Sequence, residues 1–476
     1  MHKWDAFYID GGWVAPTSEE RIEVISPHDG TPVGSVPHAQ AADIDAAVQA
    51  ARRAFDHGPW PQLSPTERIA AISRLASLYE TKVTEFCALI TAEMGAPKWF
   101  SDLGQGPGAL GMIKLNLMHA SDYPWETERN ISLIRHEPVG VVGIVTPWNV
   151  PQIAILAKLI PAVLAGCCVV VKPSPEAPLD AMVLAELIEQ AELPPGVVNI
   201  LPGAGEAGRA LVEHPGVDKI AFTGSTAVGR WIAQACGAQL KRCSLELGGK
   251  SAAIICEDAE FRTVTSGLRF ASFMNNSEAC VAQTRLLVPR SRQQELTDAI
   301  ADMVAKLTVG DPSDAGSYIG PMVSQRQRDR VHSYIELGLA EGAHAAVGGT
   351  GYPEGLEGGA YVRPTLFTGV RNDMRIAQEE IFGPVVSIIT YDDEEEAVRI
   401  ANDSEYGLAG SVWTTDMERA ASIARRVRTG TFGINSYASD VMAPFGGFKS
   451  SGIGREYGPE GLSEYVELKS IYGLKL

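Results

Sequence analysis

The sequence has few cysteines, and they are spaced irregularly. Seven occur among 476 residues, and no two of them form a C-x-x-C pair. Zinc sites and redox-active dithiols usually contain such pairs, and a disulfide framework usually needs an even number of cysteines. The sequence therefore predicts neither a metal site nor a disulfide framework, and a reducing compartment such as the cytoplasm is the expected location.

The sequence also lacks an uninterrupted apolar run that would fit a membrane span. Its longest apolar segment, residues 153–171, is broken by Lys158, Pro161 and Gly166. A spanning helix needs roughly 18 or more apolar residues in succession. Residues 1–5 show no apolar core of a secretory signal peptide. We therefore expect a cytoplasmic protein with no membrane partner.

Positive charge is in the minority. Lysine and arginine together number 40 against 58 aspartates and glutamates, which gives a formal net charge of -18. A surface with this charge repels nucleic-acid phosphates and anionic membranes, so no nucleic-acid partner is expected. An anionic cofactor would need a local positive end, such as a helix N-terminus.

Short apolar strands alternate with helices from Gly140 onward. This order is typical of βαβ units with a parallel sheet covered on both faces, which predicts an α/β fold with a Rossmann-type domain. The predicted strands are Val141–Val145, Cys168–Val171, Val197–Leu201 and Ile220–Phe222, and the predicted helices are Gln152–Leu164, Leu179–Ala191, Glu206–Val212 and Ala227–Cys236.

Helices are also expected before this region, and a second α/β region follows Gly248. The earlier helices are Ala41–His57 and one that begins with the capping box Ser64–Glu67 and runs toward Gly95. The later region is predicted to contain the helices Arg292–Leu307 and Gln325–Ala340 and the strands Val385–Tyr391 and Leu408–Thr414. A chain of this length is expected to form two or three domains.

Two segments fit neither α/β region. Residues 123–138 and the tail, residues 465–476, both have strand-like patterns. They suit edge strands that pair with another subunit. A solvent-facing hairpin that packs on its own domain fits them equally well, so both alternatives stay open at this point.

Two glycine-rich turns are candidates for binding a dinucleotide. Residues 203–208 match G-x-G-x-x-G, but no acidic residue ends a following strand to bind a ribose. Residues 222–229 also join a strand to a helix, and the backbone N–H groups with Ser225 would suit a phosphate. An ordinary helix start is the alternative for either turn.

Cys280 is a candidate nucleophile. It stands in a polar turn of small residues, 275–285, ahead of a strand-like run. A thiolate attacks carbonyl carbon readily near neutral pH. An inert buried thiol is the alternative, because cysteine is among the most frequently buried residue types.

Three further polar residues have positions that suit chemistry. Glu246 lies in an apolar sequence beside two glycines and is a candidate general base, with an ion pair to Lys250 or a capping role as the alternatives. Asn149 follows the first predicted strand, where its amide would reach a developing oxyanion; a turn residue is the alternative. Lys172 ends the next strand, where it would bind a ribose or phosphate unless it is simply solvated.

Together these residues form a recognisable series. The chain closely resembles the NAD(P)-dependent aldehyde dehydrogenase superfamily over nearly its whole length, from about residue 8 onward. The segments that carry the resemblance occur in this order: Pro147–Asn149, Lys172, residues 222–226, residues 246–250, Cys280, residues 379–384 and residues 444–452.

The resemblance implies a fold with a dinucleotide-binding domain, a catalytic α/β domain and a small β element for oligomerisation. On this basis residues 1–122 and 139–246 are assigned to the first, 247–445 to the second, and 123–138 with 459–476 to the third. Members of the family are usually dimers or tetramers, so a homo-oligomer, such as a homotetramer, is expected.

The resemblance also implies roles for four catalytic residues. Cys280 would attack the aldehyde carbon, and Asn149 with the backbone N–H of Cys280 would hold the oxyanion. Glu246 would activate water to release a free acid, since CoA-acylating relatives typically lack this glutamate. Glu456 matches a residue implicated in relaying protons.

Eight residues match cofactor contacts of the family: Trp148, Lys172, Gly205, Gly224, Ser225, Gly229, Glu380 and Phe382. One departure concerns the acidic residue that many NAD-preferring members carry three positions after the lysine. Here Pro175 occupies that position and Glu176 follows it. NAD is the expected cofactor, and NADP is the alternative.

The expected substrate is a medium-size apolar aldehyde. The helix after Asn149 carries small or medium apolar residues, and no arginine adjoins Cys280 to bind the carboxylate of a semialdehyde. Two other functions compete with aldehyde oxidation: a catalytically inactive cofactor-binding structural protein and a thiol esterase. The apolar residues after Asn149 that are predicted to line the entrance for the substrate are Val150, Ile153, Ala154 and Ala157.

Overall fold

Two large β-sheets, each covered by helices, organise the structure, a computed structural model that describes residues 2–473. The predicted α/β fold is confirmed, and the two α/β regions of the sequence correspond to the two sheets. The division of the chain into domains at the predicted boundaries stays a prediction.

The first large sheet has five parallel strands at its centre and antiparallel strands at both edges. Its central strands are buried on both faces, which explains their continuous apolar sequences. In sheet order the strands are Gly452–Ile453, Arg242–Glu246, Lys219–Thr223, Val141–Val145, Cys168–Lys172, Val198–Ile200, Phe7–Ile9 and Gly12–Val14.

Helices connect the parallel strands of this sheet and cover it. The predicted helices of this region are confirmed within a few residues at each end, and so is the long helix after Ser64. That helix begins at a capping box in which Ser64 and Glu67 bond reciprocally, and it ends at Gly95 with φ of 79°. The helices around this sheet are Ala41–His57, Pro65–Met94, Gly106–Asp122, Pro151–Ala165, Leu179–Gln190, Gly205–Glu213 and Thr226–Gln239.

The second large sheet is parallel except for its first strand. In order its strands are His344–Val347, Thr365–Thr368, Val385–Tyr391, Gln283–Pro289, Ser251–Ile255, Gly410–Trp413 and Gly433–Ile434. Its helices are Phe261–Phe273, Gln293–Ala305, Gln325–Ala340, Glu394–Asn402 and Met417–Arg426. The strand predicted at Leu408–Thr414 is real but shorter.

Two small sheets and several short helical segments complete the architecture. Strands His2–Lys3, Pro32–Pro37 and Arg21–Ile25 form one small sheet; Val466–Tyr472, Ser132–Pro138 and Glu126–Arg129 form the other. The short segments are Trp60–Gln62, Lys98–Phe100, Ser101–Gln105, Met274–Ser277, Arg290–Arg292, Arg375–Gln378, Lys449–Ser451 and Gly458–Ser463.

The two segments that fitted neither α/β region pair with each other. Ser132–Pro138 lies between the strands Glu126–Arg129 and Val466–Tyr472, and it is antiparallel to both. The last residues of the predicted tail strand, 474–476, lie outside the described residues. Among residues 2–473, no helix combines the length and the apolar composition that crossing a bilayer requires.

Candidate active site

The sequence-predicted residues of the first sheet lie at the carboxyl ends of its parallel strands. Lys172 and Glu246 are the last residues of their strands, and Asn149 and Ser225 follow the ends of two others. In parallel α/β sheets this edge is where ligands collect. The loop of Cys280 reaches the same edge from the second sheet, and its carbonyl oxygen would lie 2.4 Å from a Cβ on Gly249. The residue at 249 must therefore be glycine for the loop to approach this closely.

The backbone before Cys280 is strained and fixed by buried side chains. Asn275, Asn276 and Ser277 all have positive φ, at 50°, 61° and 58°. Such a conformation is costly for residues with a Cβ and persists only where the surroundings enforce it. The Asn276 side chain donates to the carbonyls of Gly95 and Pro321, at 3.0 and 2.9 Å, which fixes the turn against the neighbouring loops.

Asn149 is bonded directly to this turn. Its Nδ2 donates to the Glu278 carbonyl at 2.8 Å, and its own carbonyl accepts from Asn275 Nδ2 at 2.9 Å and from Gln105 Nε2 at 2.8 Å. A side-chain amide has two N–H donors, and these bonds use one of them. The second N–H of Asn149 donates to no protein acceptor within residues 2–473.

Cys280 is half-buried and packs against an apolar cluster. Burial raises the pKa of its thiol to about 12, and the negative charges of Glu380 and Glu246 raise it further. The thiol is consequently protonated at neutral pH and needs a base or a nearby positive charge to react. The cluster consists of Phe100, Ala271, Met274, Val281, Leu408, Ala409 and Tyr437, with Trp99, Phe270, Ala279 and Phe445 packed against it.

Glu246 is a buried carboxyl group without a hydrogen-bond partner. It is 4% exposed, and neither of its side-chain oxygens is bonded within the described part of the chain. Burial raises its pKa well above the usual value, and the charge of Glu456 raises it further. The alternative ion pair with Lys250 does not form between these two described residues. A Cβ on Gly446 would lie 2.7 Å from Glu246 Oε1, so a glycine there leaves room for the carboxyl group.

Glu456 is connected to a buried lysine. Lys158 Nζ lies 2.5 Å from Glu456 Oε1 and donates to Thr223 Oγ1 at 2.6 Å. Lys158 also lowers the pKa of Glu246, against the larger effects of burial and of Glu456. Sequence reasoning missed Lys158 as a site residue, although a lysine inside an apolar helix was the available signal. These groups form a buried set that can hold and move a proton.

The turn at Gly224–Gly229 has the geometry of a phosphate site. Ser225 caps the helix Thr226–Gln239, and its hydroxyl accepts from Val228 N. A Cβ on Gly229 would lie 2.4 Å from the Leu247 side chain, so glycine lets the helix start pack closely on the next strand. The N-terminus of this helix therefore presents backbone N–H groups to an anion.

Lys172 lies beside the other glycine-rich turn. Its Nζ donates to the carbonyls of Pro173 and Gly203, both at 2.7 Å, and burial lowers its pKa to about 8. A Cβ on Gly205 would meet no atom within 4 Å, so open space lies above this residue. Glu176, close to the same strand end, accepts from Ser174 Oγ at 2.5 Å.

The remaining predicted cofactor residues are Trp148, Phe382 and Glu380. Trp148 and Phe382 contact each other edge to face, with ring centroids 5.4 Å apart, and Phe382 has φ of 64°. Glu380 Oε1 accepts from Gly249 N at 3.0 Å. These contacts bring Glu380 to the glycine pair beside Glu246.

Within residues 2–473, no group of three or more His, Cys, Asp or Glu side chains has the arrangement of a metal site.

Two of the four residues predicted to line the substrate entrance are buried. Ala157 packs in the hydrophobic core of the first sheet, and Ala154 is 4% exposed. Val150 and Ile153 keep partial exposure. Sequence reasoning missed the aromatic residues around Cys280, which come from distant segments and share no local pattern.

Comparisons with known proteins identify the family of the chain. The family model described as the aldehyde dehydrogenase family matches residues 13–471. Geranial dehydrogenase of Castellaniella defragrans is 46% identical over 470 residues, which are 98% of each chain.

Solved structures are equally similar. An aldehyde dehydrogenase of Mycobacterium tuberculosis complexed with NAD+ superposes with a TM-score of 0.98 and 47% identity, covering 100% of both chains. A mutant of aldehyde dehydrogenase C from Pseudomonas syringae, with NAD+ and octanal, gives a TM-score of 0.96 and 42% identity, covering 98% of this chain and 96% of that one. The predicted family and fold are confirmed: this chain belongs to the aldehyde dehydrogenase family.

Proposed function

We propose that the protein oxidises an aldehyde to a carboxylic acid with NAD, using Cys280 as the nucleophile. The observation that carries the proposal is the meeting of three groups at one strand edge. The thiol of Cys280 lies in an apolar cluster, Asn149 is bonded to its loop, and Glu246 is buried without a partner. A nucleophile, an oxyanion donor and a base are the groups that acyl chemistry at an aldehyde carbon requires.

In the first step, the thiol of Cys280 transfers its proton to solvent water, and its sulfur bonds to the aldehyde carbon. The carbonyl oxygen becomes an oxyanion, to which the free N–H of Asn149 and the backbone N–H of Cys280 donate. Because the surroundings are apolar, these hydrogen bonds are stronger than they would be in water.

NAD supplies, when bound, the acceptor for the hydride that leaves the substrate carbon. The acyl group is then a thioester on Cys280. Glu246 takes a proton from water, and the resulting hydroxide attacks the thioester carbon and releases the acid and the thiol. Its raised pKa makes Glu246 a stronger base than an exposed glutamate. Glu456 and Lys158 receive and pass on the proton.

Several residues fit the cofactor. The helix start at Ser225 suits the pyrophosphate, and the open space above Gly205 suits the adenosine half. Lys172 and Glu380 offer polar groups to the riboses, and Trp148 with Phe382 forms an apolar wall. The similar structures from M. tuberculosis and P. syringae, which contain NAD+, support this assignment.

Two substitutions test the chemistry. Cys280→Ala should lower NAD reduction with octanal at least about a thousandfold, because no other group forms the thioester. Glu246→Gln should still give about one NADH per site in a rapid burst, followed by slow turnover, because only thioester hydrolysis needs the base. Stopped-flow absorbance at 340 nm measures both.

Cys243→Ala is the matched control, since Cys243 is also half-buried but lies away from the nucleophile loop. It should keep the wild-type rate. Wild-type turnover in Cys280→Ala would contradict the proposal. Ester cleavage by the wild type without NAD reduction would indicate a thiol esterase instead, and neither reaction would indicate an inactive cofactor-binding protein.

We infer that the substrate is a medium-size apolar aldehyde. The support is the apolar and aromatic cluster around Cys280 and the similarity to enzymes named for geranial or crystallised with octanal. We expect octanal to have a higher kcat/KM than succinic semialdehyde, whose carboxylate would have to lose its water among the apolar side chains of that cluster. A steady-state comparison in which succinic semialdehyde is the better substrate would overturn this inference.

The preference for NAD over NADP is assigned to Glu176. Its carboxylate lies near Lys172 at the end of the strand and bonds to Ser174 Oγ and to Arg326, at 2.5 and 2.8 Å. A carboxylate here accepts from a ribose 2′-OH and repels a 2′-phosphate.

Glu176→Gln should raise the kcat/KM for NADP relative to that for NAD about tenfold, because the repulsion disappears. Glu189→Gln is the control, since this carboxylate bonds to Trp13 on the outside of the same sheet. Steady-state kinetics with both cofactors give the ratio. An unchanged ratio in Glu176→Gln would remove Glu176 from cofactor selection.

We also infer a homo-oligomer, a dimer or tetramer, built through the strand Val466–Tyr472. Among residues 2–473, no strand pairs with the outer edge of this strand. Leu468 and Tyr472 on it are 69% and 79% exposed, and pairing of this open edge with another subunit would cover them. Sedimentation velocity should give a multiple of 50.9 kDa. A monomer at micromolar concentration would contradict this inference.

A further inference from the structure

A cavity of about 390 Å³ lies beside the cluster that contains Cys280. Two of its lining residues, Trp99 and Phe270, also pack against that cluster. Trp99 and Phe270 therefore border both the cavity and the apolar cluster against which Cys280 packs. The other lining residues are Ser266, Arg269, residues 315–317 and Tyr318.

The cavity wall is a stack of three side chains. The Arg269 guanidinium lies 4.1 Å from the centre of the Tyr318 ring, and that ring stacks on Trp99 at 4.7 Å with an interplanar angle of 16°. Trp99 Nε1 donates to the Tyr318 carbonyl at 3.0 Å, and the Tyr318 hydroxyl donates to the Arg269 carbonyl at 2.9 Å. The stack is thus fixed at both ends, and a cation over an aromatic face is a favourable arrangement.

The guanidinium of Arg269 has no carboxylate partner within residues 2–473. Arg269 is exposed, and its side-chain N–H groups donate to no protein acceptor there. This is unexpected in a chain with a net charge of -18, in which acidic side chains are abundant. Arg292 also stacks on an aromatic ring, that of Phe261 at 4.4 Å, and it does pair with Glu295, at 3.5 Å. The planar fork of Arg269 is consequently free to bind a carboxylate from outside the protein.

We propose that this cavity binds the far end of a long aldehyde, whose apolar middle contacts Trp99 and Phe270 and whose terminal carboxylate pairs with Arg269. The inference rests on the proposed function, because it assigns the aldehyde end to Cys280. It adds a substrate class to that function: long-chain aldehydes that end in a carboxylate.

The separation between the two sites sets a requirement for length. The rings of Trp99 and Phe270, with centroids 6.2 Å apart, line the cavity with Arg269 and also pack against the cluster of Cys280. A short semialdehyde held at Cys280 would leave its carboxylate among the apolar side chains of that cluster, which is costly. A long semialdehyde places its methylene groups against the rings of Trp99 and Phe270 and its carboxylate beside the exposed Arg269.

The test compares two pairs of aldehydes of matched length. In the long pair, 9-oxononanoate carries the carboxylate and nonanal does not. In the short pair, 4-oxobutanoate, which is succinic semialdehyde, carries the carboxylate and butanal does not. Arg269→Gln should lower the ratio of kcat/KM for 9-oxononanoate to that for nonanal at least about tenfold, through KM. The ratio for the short pair should stay within about twofold of the wild type, since that carboxylate does not reach Arg269.

Arg292→Gln is the matched control, because it removes another guanidinium that stacks on an aromatic ring but lines no part of the cavity. It should leave both ratios unchanged. In the wild type, the long-pair ratio should also fall when NaCl rises from 50 to 500 mM, as expected for a solvent-exposed charge pair.

An unchanged long-pair ratio in Arg269→Gln, or an equal fall in both ratios, would overturn the proposal. Failure of the proposed function would look different, because the wild type and Arg292→Gln would then oxidise neither nonanal nor butanal. If these two proteins oxidise nonanal, the proposed function stands, whatever the result for Arg269→Gln.

Discussion

The hydrogen bonds between Asn149 and the loop of Cys280 are the contacts on which the site depends. They join the carboxyl edge of the first sheet to a strained turn of the second, through buried amides with few alternative partners. Leaving one of these amides unpaired would cost roughly 1–3 kcal/mol, which keeps the turn in place despite its positive φ angles. The proposed nucleophile is therefore positioned by the packing of two sheets rather than by its own loop.

The same burial controls the charges of the site. The raised pKa values of Cys280 and Glu246 show that burial opposes a negative charge on either group, because an unpaired anion in an apolar pocket is costly. The ion pair of Lys158 with Glu456 is the exception, and it lies deeper than the thiol. A positive charge that arrives beside the thiol would favour its ionisation, which makes reactivity depend on occupancy of the site.

Local patterns predicted the parts of the fold that depend on local physics. The strands and helices of the first sheet follow from apolar runs, caps and glycine positions, and these placed Lys172, Ser225 and Glu246 at one edge. The resemblance to a family supplied the grouping with Cys280. Neither source identified Lys158 or the aromatic neighbours of the thiol, because their positions depend on how the two sheets pack. Lys158 contacts Thr223 and Glu456, which are 65 and 298 positions away in the sequence, and partners this distant leave no local pattern.

The charge of the whole chain and the charge of one residue have different ranges of action. A net charge of -18 repels any anionic substrate at long distance, but at physiological ionic strength that repulsion is screened beyond about 8 Å. Within that distance the nearest charged groups determine whether an anion binds. At the cavity lined by Trp99 and Phe270, the nearest such group is the guanidinium of Arg269. The apolar cluster around Cys280 and the guanidinium of Arg269 would therefore together select among aldehydes. They would do so by the length of the chain between the reacting carbon and a terminal carboxylate. Selectivity of this kind follows from two fixed aromatic rings and one arginine, with no need for a charged group beside the thiol.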